Sequence, residues 1–132
     1  WALERSIAVS IDMSSVALWA DLGPARRRRA IEVHEPDVVF ANADEAAALG
    51  IESSIGAAST VVKRGADPAI AYVGGSVIEV ASEPLGSVDD LDTTGAGDAF
   101  AAGFLTAEWR TEPAHAVRAG HRAAAALLSG RR

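Results

Sequence analysis

The sequence predicts an α/β fold with a mostly parallel sheet. Short apolar runs of strand length alternate with segments of helical character, an order typical of parallel strands joined by helices. Two later runs flank a pair of glycines and predict an antiparallel hairpin, which gives a mixed sheet. The predicted parallel strands cover 6–11, 36–41 and 60–63, and the hairpin strands cover 69–73 and 76–80.

The first predicted strand, 6–11, ends at Asp12. Its continuous apolar character is that of a buried parallel strand. Ligands of open α/β sheets collect at the carboxyl ends of the strands, so Asp12 is a candidate for the active-site edge. Aspartate also favours turns and caps, and that structural interpretation is the commoner one.

Two helices are predicted next. Residues 15–19 have helical character, and a second helix begins at Gly23-Pro24, where proline suits the first turn. The second helix carries Arg26 to Arg29. Consecutive residues point around a helix rather than to one side, so we expect a solvated surface and not a binding patch.

The strand at 36–41 leads directly into Asn42, with Glu45 three residues further on. Asn-x-x-Glu before an alanine-rich helix is a capping box, in which each side chain accepts a hydrogen bond from the other residue's backbone amide. This local structure accounts for both residues without any chemistry.

Composition narrows the class of protein. The 132 residues are 49% hydrophobic and 23% charged, which suits one globular domain with a core. The chain has no cysteine, which excludes disulfides and thiolate metal sites. A net charge of −6, with one lysine beside eleven arginines, argues against a nucleic-acid partner. Without a membrane-length apolar run or a signal-peptide pattern, we expect a cytoplasmic protein with no membrane partner.

The most informative stretch is Asp92 to Phe100, Asp-Thr-Thr-Gly-Ala-Gly-Asp-Ala-Phe. Its glycine turn opens a helix predicted over 99–109. A helix start offers unpaired N–H groups and the positive end of the dipole, and Gly95 and Gly97 let those groups converge on a phosphate. Asp98 is either a favourable first-turn charge or the base that takes a proton from an attacking hydroxyl.

That stretch, with Gly103-Phe104 after it, resembles the C-terminal signature of the PfkB family of carbohydrate kinases. The resemblance implies a ribokinase-like, three-layer α/β/α fold, of which residues 1–132 are the C-terminal nucleotide-binding and catalytic half. It also implies that Asp98 is the catalytic base. The amides of Gly95, Ala96 and Gly97 then form the anion hole for the transferring phosphoryl group; the alternative is a purely structural glycine turn.

The same resemblance implies ATP and Mg²⁺, with K⁺ as a further cofactor. Asn42 and Glu45 match the family's Asn-x-x-Glu motif, whose glutamate organises magnesium and the phosphates through water. Asp92 matches a position that helps to build a monovalent-cation site, and Thr94 joins the nucleotide-binding residues.

Lys63 and Gly65 match loosely the family's strand and glycine turn beside the nucleotide. Lys63 or Arg64 could reach a phosphate, and each could equally be a strand-end charge in water.

The expected activity is ATP-dependent phosphorylation of a hydroxyl group of a sugar. The alternatives are a kinase of a nucleoside or vitamin precursor and a non-catalytic, nucleotide-binding regulatory protein of the same fold. The expected partner is a sugar or related small hydroxyl acceptor, with a homodimer as a further possibility. Two structural expectations complete the prediction: Thr111 caps a helix over 114–128, and the three histidines lie on helix surfaces.

Overall fold

The computed structural model describes residues 2–84 and 92–130. The strands are β1 (Ser10–Asp12), β2 (Val38–Asn42), β3 (Ser59–Lys63), β4 (Ala69–Val73) and β5 (Ser76–Val80). The helices are α1 (Val16–Ala20), α2 (Pro24–Glu32), α3 (Ala43–Leu49), α4 (Ala96–Leu105) and α5 (Pro113–Ser129), preceded by a short 3-10 turn at Leu3–Arg5. No helix in this part of the chain is both long and apolar enough to cross a bilayer.

The five strands form one sheet in the order β1-β2-β3-β4-β5. Strands β1, β2 and β3 are parallel, and β4 runs antiparallel to β3. Strands β4 and β5 have the predicted bounds, because Gly74 and Gly75 both adopt the positive φ that a tight turn needs, 56° and 81°. The predicted α/β class and the hairpin are confirmed.

The chain divides into two compact units, and the first comprises Trp1–Lys63 and Ile70–Val77. Its core is apolar and draws on the parallel strands and the helices that follow them. Strand β2 is buried from Val38 to Ala41, as expected for a parallel strand covered on both faces. The buried cluster consists of Met13, Ile31, Val39, Ala41, Ile51 and Val62.

The predicted buried strand over 6–11 is wrong over 6–9, because β1 begins only at Ser10, and none of the three residues of β1 is buried. Ser6 has a positive φ of 54°, and the Ile7 amide closes a turn by donating to the Ala2 carbonyl at 3.0 Å. Ile7 is therefore 45% exposed rather than buried. The apolar run marks the approach to the strand as well as the strand.

The arginine-rich helix α2 begins at Pro24, as predicted. Arg26, Arg28 and Arg29 are exposed, which confirms the solvated surface for these three. Arg27 differs, because its guanidinium donates to the carbonyls of Leu22 and Ala48. This arginine ties the start of α2 to the end of α3.

The second unit comprises Arg64–Ala69 and Ile78–Arg132, and its core is the contact between α4 and α5. Phe100 and Phe104 are both buried on one face of α4, and Phe104 stacks on Trp109 with ring centroids 6.3 Å apart. Helix α4 is shorter at its C-terminus than predicted. The Thr106 hydroxyl donates to main-chain carbonyls of the preceding turn and closes the helix there.

The predicted cap of the last helix is wrong. Helix α5 begins at Pro113 with Glu112 in the capping position, and no side chain caps it. The Thr111 hydroxyl donates instead to the Glu108 carbonyl at 3.3 Å. Proline at the first helical position removes one of the amides that a cap would have to satisfy.

Candidate functional site

The glycine turn of the second unit begins α4. Gly95 is the N-cap, with φ at 78°, and the Ala99 amide donates the first helical hydrogen bond to the Gly95 carbonyl at 2.9 Å. Just before it, an Asp92 carboxylate oxygen accepts from the Thr94 amide at 2.9 Å, an Asx turn. The left-handed conformation at Gly95 is what turns the chain into the helix.

The three amides predicted to hold a phosphoryl group are not alike. The Ala96 amide donates to the Thr93 carbonyl at 3.1 Å. Among residues 2–84 and 92–130, the amides of Gly95 and Gly97 donate to no backbone carbonyl, and neither does that of Asp98. Unpaired amides around a left-handed residue at a helix start form a concavity that suits an anion.

Asp98 lies in the first turn of α4 and is exposed. Its carboxylate is therefore accessible to solvent and to a substrate hydroxyl. Asp98 directly follows Gly97 in the sequence and shares the first turn of α4, whose N-cap is Gly95. Accepting a proton from a hydroxyl and binding an anion are the two functions that the catalysis of phosphoryl transfer requires.

The capping box of α3 is confirmed. The Asn42 side-chain oxygen accepts from the Glu45 amide at 2.8 Å, and a Glu45 carboxylate oxygen accepts from the Asn42 amide at 2.8 Å. Glu45 is only 4% exposed, yet its carboxylate forms no ion pair with a described basic side chain.

A buried carboxylate is costly without a compensating positive charge. Magnesium prefers oxygen donors and keeps several of its waters, so this acid fits a hydrated magnesium ion beside it. In the described part of the chain no three His, Asp or Glu side chains cluster as direct metal ligands.

Lys63 and Asp12 form an ion pair, with Lys63 Nζ 2.5 Å from Asp12 Oδ2. They are the last residues of β3 and β1, and Asn42, the last residue of β2, is the register partner of Lys63. Since the three strands are parallel, these residues lie at the same edge of the sheet, the one formed by the carboxyl ends of the strands. Asp12 also has the turn role that was the commoner expectation, because its Oδ1 accepts from the Ser14 amide at 3.3 Å.

Arg64, which the sequence left equivalent to Lys63, has different partners. Its guanidinium donates to the Pro68 carbonyl at 3.3 Å and lies 3.4 Å from a Glu79 carboxylate oxygen. Gly65 follows in the turn with φ at 63°. Arg64 thus holds the turn against the β4–β5 hairpin, whereas Lys63 lies at the carboxyl end of the parallel strands.

His121 is a buried residue that the sequence prediction placed wrongly on a helix surface. It is 7% exposed, its Nε2 lies 3.1 Å from the Val80 carbonyl oxygen, and its ring packs edge-on against Phe100. Burial lowers the pKa of His121, and the hydrogen bond to Val80 and the Glu83 carboxylate only partly oppose that shift. The signal was its spacing, one helical turn after the buried Val117.

Residues 18–131 match the sequence model of the pfkB family of carbohydrate kinases. The chain belongs to this family.

Solved structures of other kinases share its fold, and three of them show how far the similarity extends. Adenosine kinase from Sinorhizobium meliloti is 22% identical with a TM-score of 0.78, over 97% of this chain and 41% of that chain. The nucleoside kinase from Methanocaldococcus jannaschii, an archaeal member of the ribokinase family, is 23% identical with a TM-score of 0.73, over 93% and 42%.

Aminoimidazole riboside kinase from Salmonella enterica is 24% identical with a TM-score of 0.73, over 96% of this chain and 48% of that chain. The chain therefore has a ribokinase-like α/β fold and spans less than half the length of these three kinases.

Proposed function

We propose that this chain is the nucleotide-binding and catalytic part of an ATP-dependent phosphotransferase that phosphorylates a hydroxyl group of a sugar. The observation that carries the proposal is the start of α4, where unpaired amides and the exposed Asp98 follow one another in a chain of the pfkB family. A protein that only binds nucleotide would need the amides but not the acid.

In the proposed mechanism Asp98 accepts the proton of the acceptor hydroxyl as that oxygen attacks the γ-phosphorus of ATP, and the bond between the γ-phosphorus and the β–γ bridging oxygen breaks to release ADP. The amides of Gly95, Ala96 and Gly97 hold the transferring phosphoryl oxygens as negative charge redistributes. The Ala96 amide would exchange its bond to Thr93 for one to the phosphoryl oxygen. Most of the rate then comes from positioning and electrostatics rather than from covalent chemistry.

Asn42 and Glu45 would hold a hydrated magnesium ion near the phosphates, where the ion neutralises phosphate charge. Glu45 supplies the buried negative charge, and Asn42 keeps it in place through the capping box. The nucleotide-binding set is completed by Lys63, Gly65 and Thr94, and Asp92 would contribute to a potassium site. A cytoplasmic homodimer remains part of the proposal.

A nucleoside is the second candidate acceptor. Adenosine kinase, nucleoside kinase and aminoimidazole riboside kinase all share this fold. A nucleoside also presents a ribose hydroxyl, so the same base and the same amides would act on it. The two acceptor classes differ only in the group that the rest of the protein must recognise.

The proposed activity is tested by ADP release from the full-length protein with MgATP and a panel of sugars and nucleosides. We expect ADP release only in the presence of one acceptor of the panel, so the same assay identifies the substrate. Nucleotide binding without acceptor-dependent release across the whole panel would overturn the kinase and favour a regulatory nucleotide-binding protein.

A further inference from the structure

The ion pair between Asp12 and Lys63 lies at the sheet edge where the proposed nucleotide site also has Asn42. Asp12 ends β1 and Lys63 ends β3, so the pair spans the intervening strand β2. The Lys63 ammonium lies over the ring of Phe40, a β2 residue, 5.8 Å from the ring centroid. A carboxylate and an aromatic face together define the position of this ammonium group.

We infer that Asp12 is a positioning residue, which holds the ammonium group of Lys63 at the carboxyl edge of β1 to β3 for a phosphate of the nucleotide. The inference rests on the proposed function. It separates Lys63 from Arg64, and it gives Asp12 a role beyond that of a turn residue.

Both partners of the pair are restrained. The Lys63 side chain is 14% exposed and that of Asp12 is 30% exposed. Asp12 Oδ1 accepts from the Ser14 amide, and the Ser14 hydroxyl donates to the Asp12 carbonyl at 3.2 Å. The carboxylate therefore cannot turn away freely, and it fixes the end of an otherwise flexible four-carbon side chain.

Lys63 keeps donors for a ligand. A lysine ammonium carries three N–H groups, and Asp12 Oδ2 takes one of them. The other N–H groups remain as donors for an anion. Because the Lys63 side chain is already ordered before an anion binds, less conformational entropy is lost on binding.

A purely structural tie between β1 and β3 explains less. An ion pair this far removed from water is weak evidence of a structural role, because the desolvation of its charges offsets much of their attraction, and backbone pairing already fixes the register of the three strands. Arg64 provides the contrast, because its guanidinium lies against Pro68 and Glu79 in the hairpin turn. Arg64 therefore has a structural role in the turn, whereas the contacts that restrain Lys63 do not stabilise that turn.

The test uses the full-length protein and measures MgATP affinity by calorimetry, together with KM and kcat. Lys63→Met is expected to weaken MgATP binding about tenfold, the effect of losing a charge-assisted hydrogen bond. Asp12→Ala is expected to weaken it by a smaller factor, and the double variant no more than Lys63→Met alone. Lys63→Arg should retain most of the affinity, and Arg64→Met should weaken MgATP binding much less than Lys63→Met does.

Asp12→Asn serves as a second variant, because it keeps the acceptor for the Ser14 amide while removing the charge. Unchanged MgATP affinity in Lys63→Met would overturn the inference. So would unchanged affinity in both folded Asp12 variants when Lys63→Met binds MgATP more weakly. A lower Tm without any change in affinity would assign the ion pair a purely structural role. Unaltered protein that binds MgATP but releases no ADP would overturn the proposed activity, while the affinities still decide the role of Asp12.

Discussion

Gly120 of α5 brings its backbone directly against Phe100 of α4. A Cβ atom at Gly120 would lie 2.9 Å from the Phe100 carbonyl oxygen and 3.0 Å from its ring. Phe100 is two residues after Asp98, so this contact supports the helix that carries the proposed base. Gly103 of α4 makes the reciprocal approach, because its Cβ would lie 2.6 Å from the Ala119 carbonyl oxygen.

The first prediction concerns this helix contact. Gly103→Ala and Gly120→Ala should each lower the free energy of unfolding, because overpacking costs ~1–3 kcal/mol and outweighs a gain of up to about 1 kcal/mol in helix propensity. Thermal melts of the variants measure the loss. Gly130→Ala is the matched control, since the nearest atom to its Cβ lies 3.5 Å away. An unchanged Tm in Gly120→Ala would contradict the tight contact.

Local patterns gave the parts of the fold that depend on neighbours in sequence. The capping box of Asn42 and Glu45 and the Gly74-Gly75 hairpin could be predicted because each is decided within a few residues. The Lys63–Asp12 pair joins residues 51 apart, and the His121–Val80 bond joins residues 41 apart. Such pairs depend on strand order and helix packing, which no local pattern contains.

The candidate site divides in the same way. The Asp92 to Phe100 signature predicted a helix start with glycines and an acid, and the structure has α4 beginning there. The backbone conformation of the turn decides which amide donates to a carbonyl within the turn. The sequence pattern therefore did not predict the hydrogen bond from the Ala96 amide to the Thr93 carbonyl. The sequence from Ser82 to Asp90 also predicts a loop before the signature, and residues 85–91 lie outside the described residues.

The second prediction is a pH dependence of stability from His121. Its pKa in the folded protein is lower than the ordinary value of 6.5, so the unfolded chain binds the proton more tightly. The contribution of His121 to the free energy of unfolding is therefore fully present above pH about 6.5. It is lost as the pH falls toward the lower pKa of the folded protein. Thermal melts between pH 8 and pH 5 measure it.

His121→Gln should flatten this pH dependence, although its Tm at high pH will be lower because the contact with Phe100 is lost. His115→Gln is the control, because His115 is exposed on the same helix. A pH profile of His121→Gln parallel to that of the unaltered protein would exclude His121 as the titrating group.

The third prediction separates strain from function at Gly95. Gly95→Ala places a side chain at φ 78°, and Gly50→Ala does the same at φ 62° at the end of α3. Each should cost about 1–2 kcal/mol of stability, because the left-handed region disfavours a Cβ atom. Only Gly95→Ala should also lower kcat, by about tenfold or more, since it shifts the amides that we propose bind the phosphoryl group. Equal kcat values in the two variants would count against the anion hole.

The fourth prediction concerns Glu45. Glu45→Gln keeps an oxygen to accept from the Asn42 amide and removes a buried carboxylate, so the Tm without magnesium should not fall, while the charge beside the proposed magnesium ion is lost. The magnesium concentration for half-maximal activity should rise several-fold, measured at saturating ATP. Glu52→Gln, at an exposed position, is the control. An unchanged magnesium requirement in Glu45→Gln would leave the capping box as the only role of this residue.

The most direct test of the central claim is kcat for Asp98→Asn in the full-length protein, compared with Asp44→Asn, an acid in the first turn of another helix. Both variants remove a favourable first-turn charge, so both should fold, melt slightly earlier and bind MgATP. Asp98→Asn alone should lose turnover by about 10²–10⁴-fold, the usual contribution of a general base. Turnover near that of the unaltered protein in Asp98→Asn would show that Asp98 is only a first-turn charge and that the base lies elsewhere.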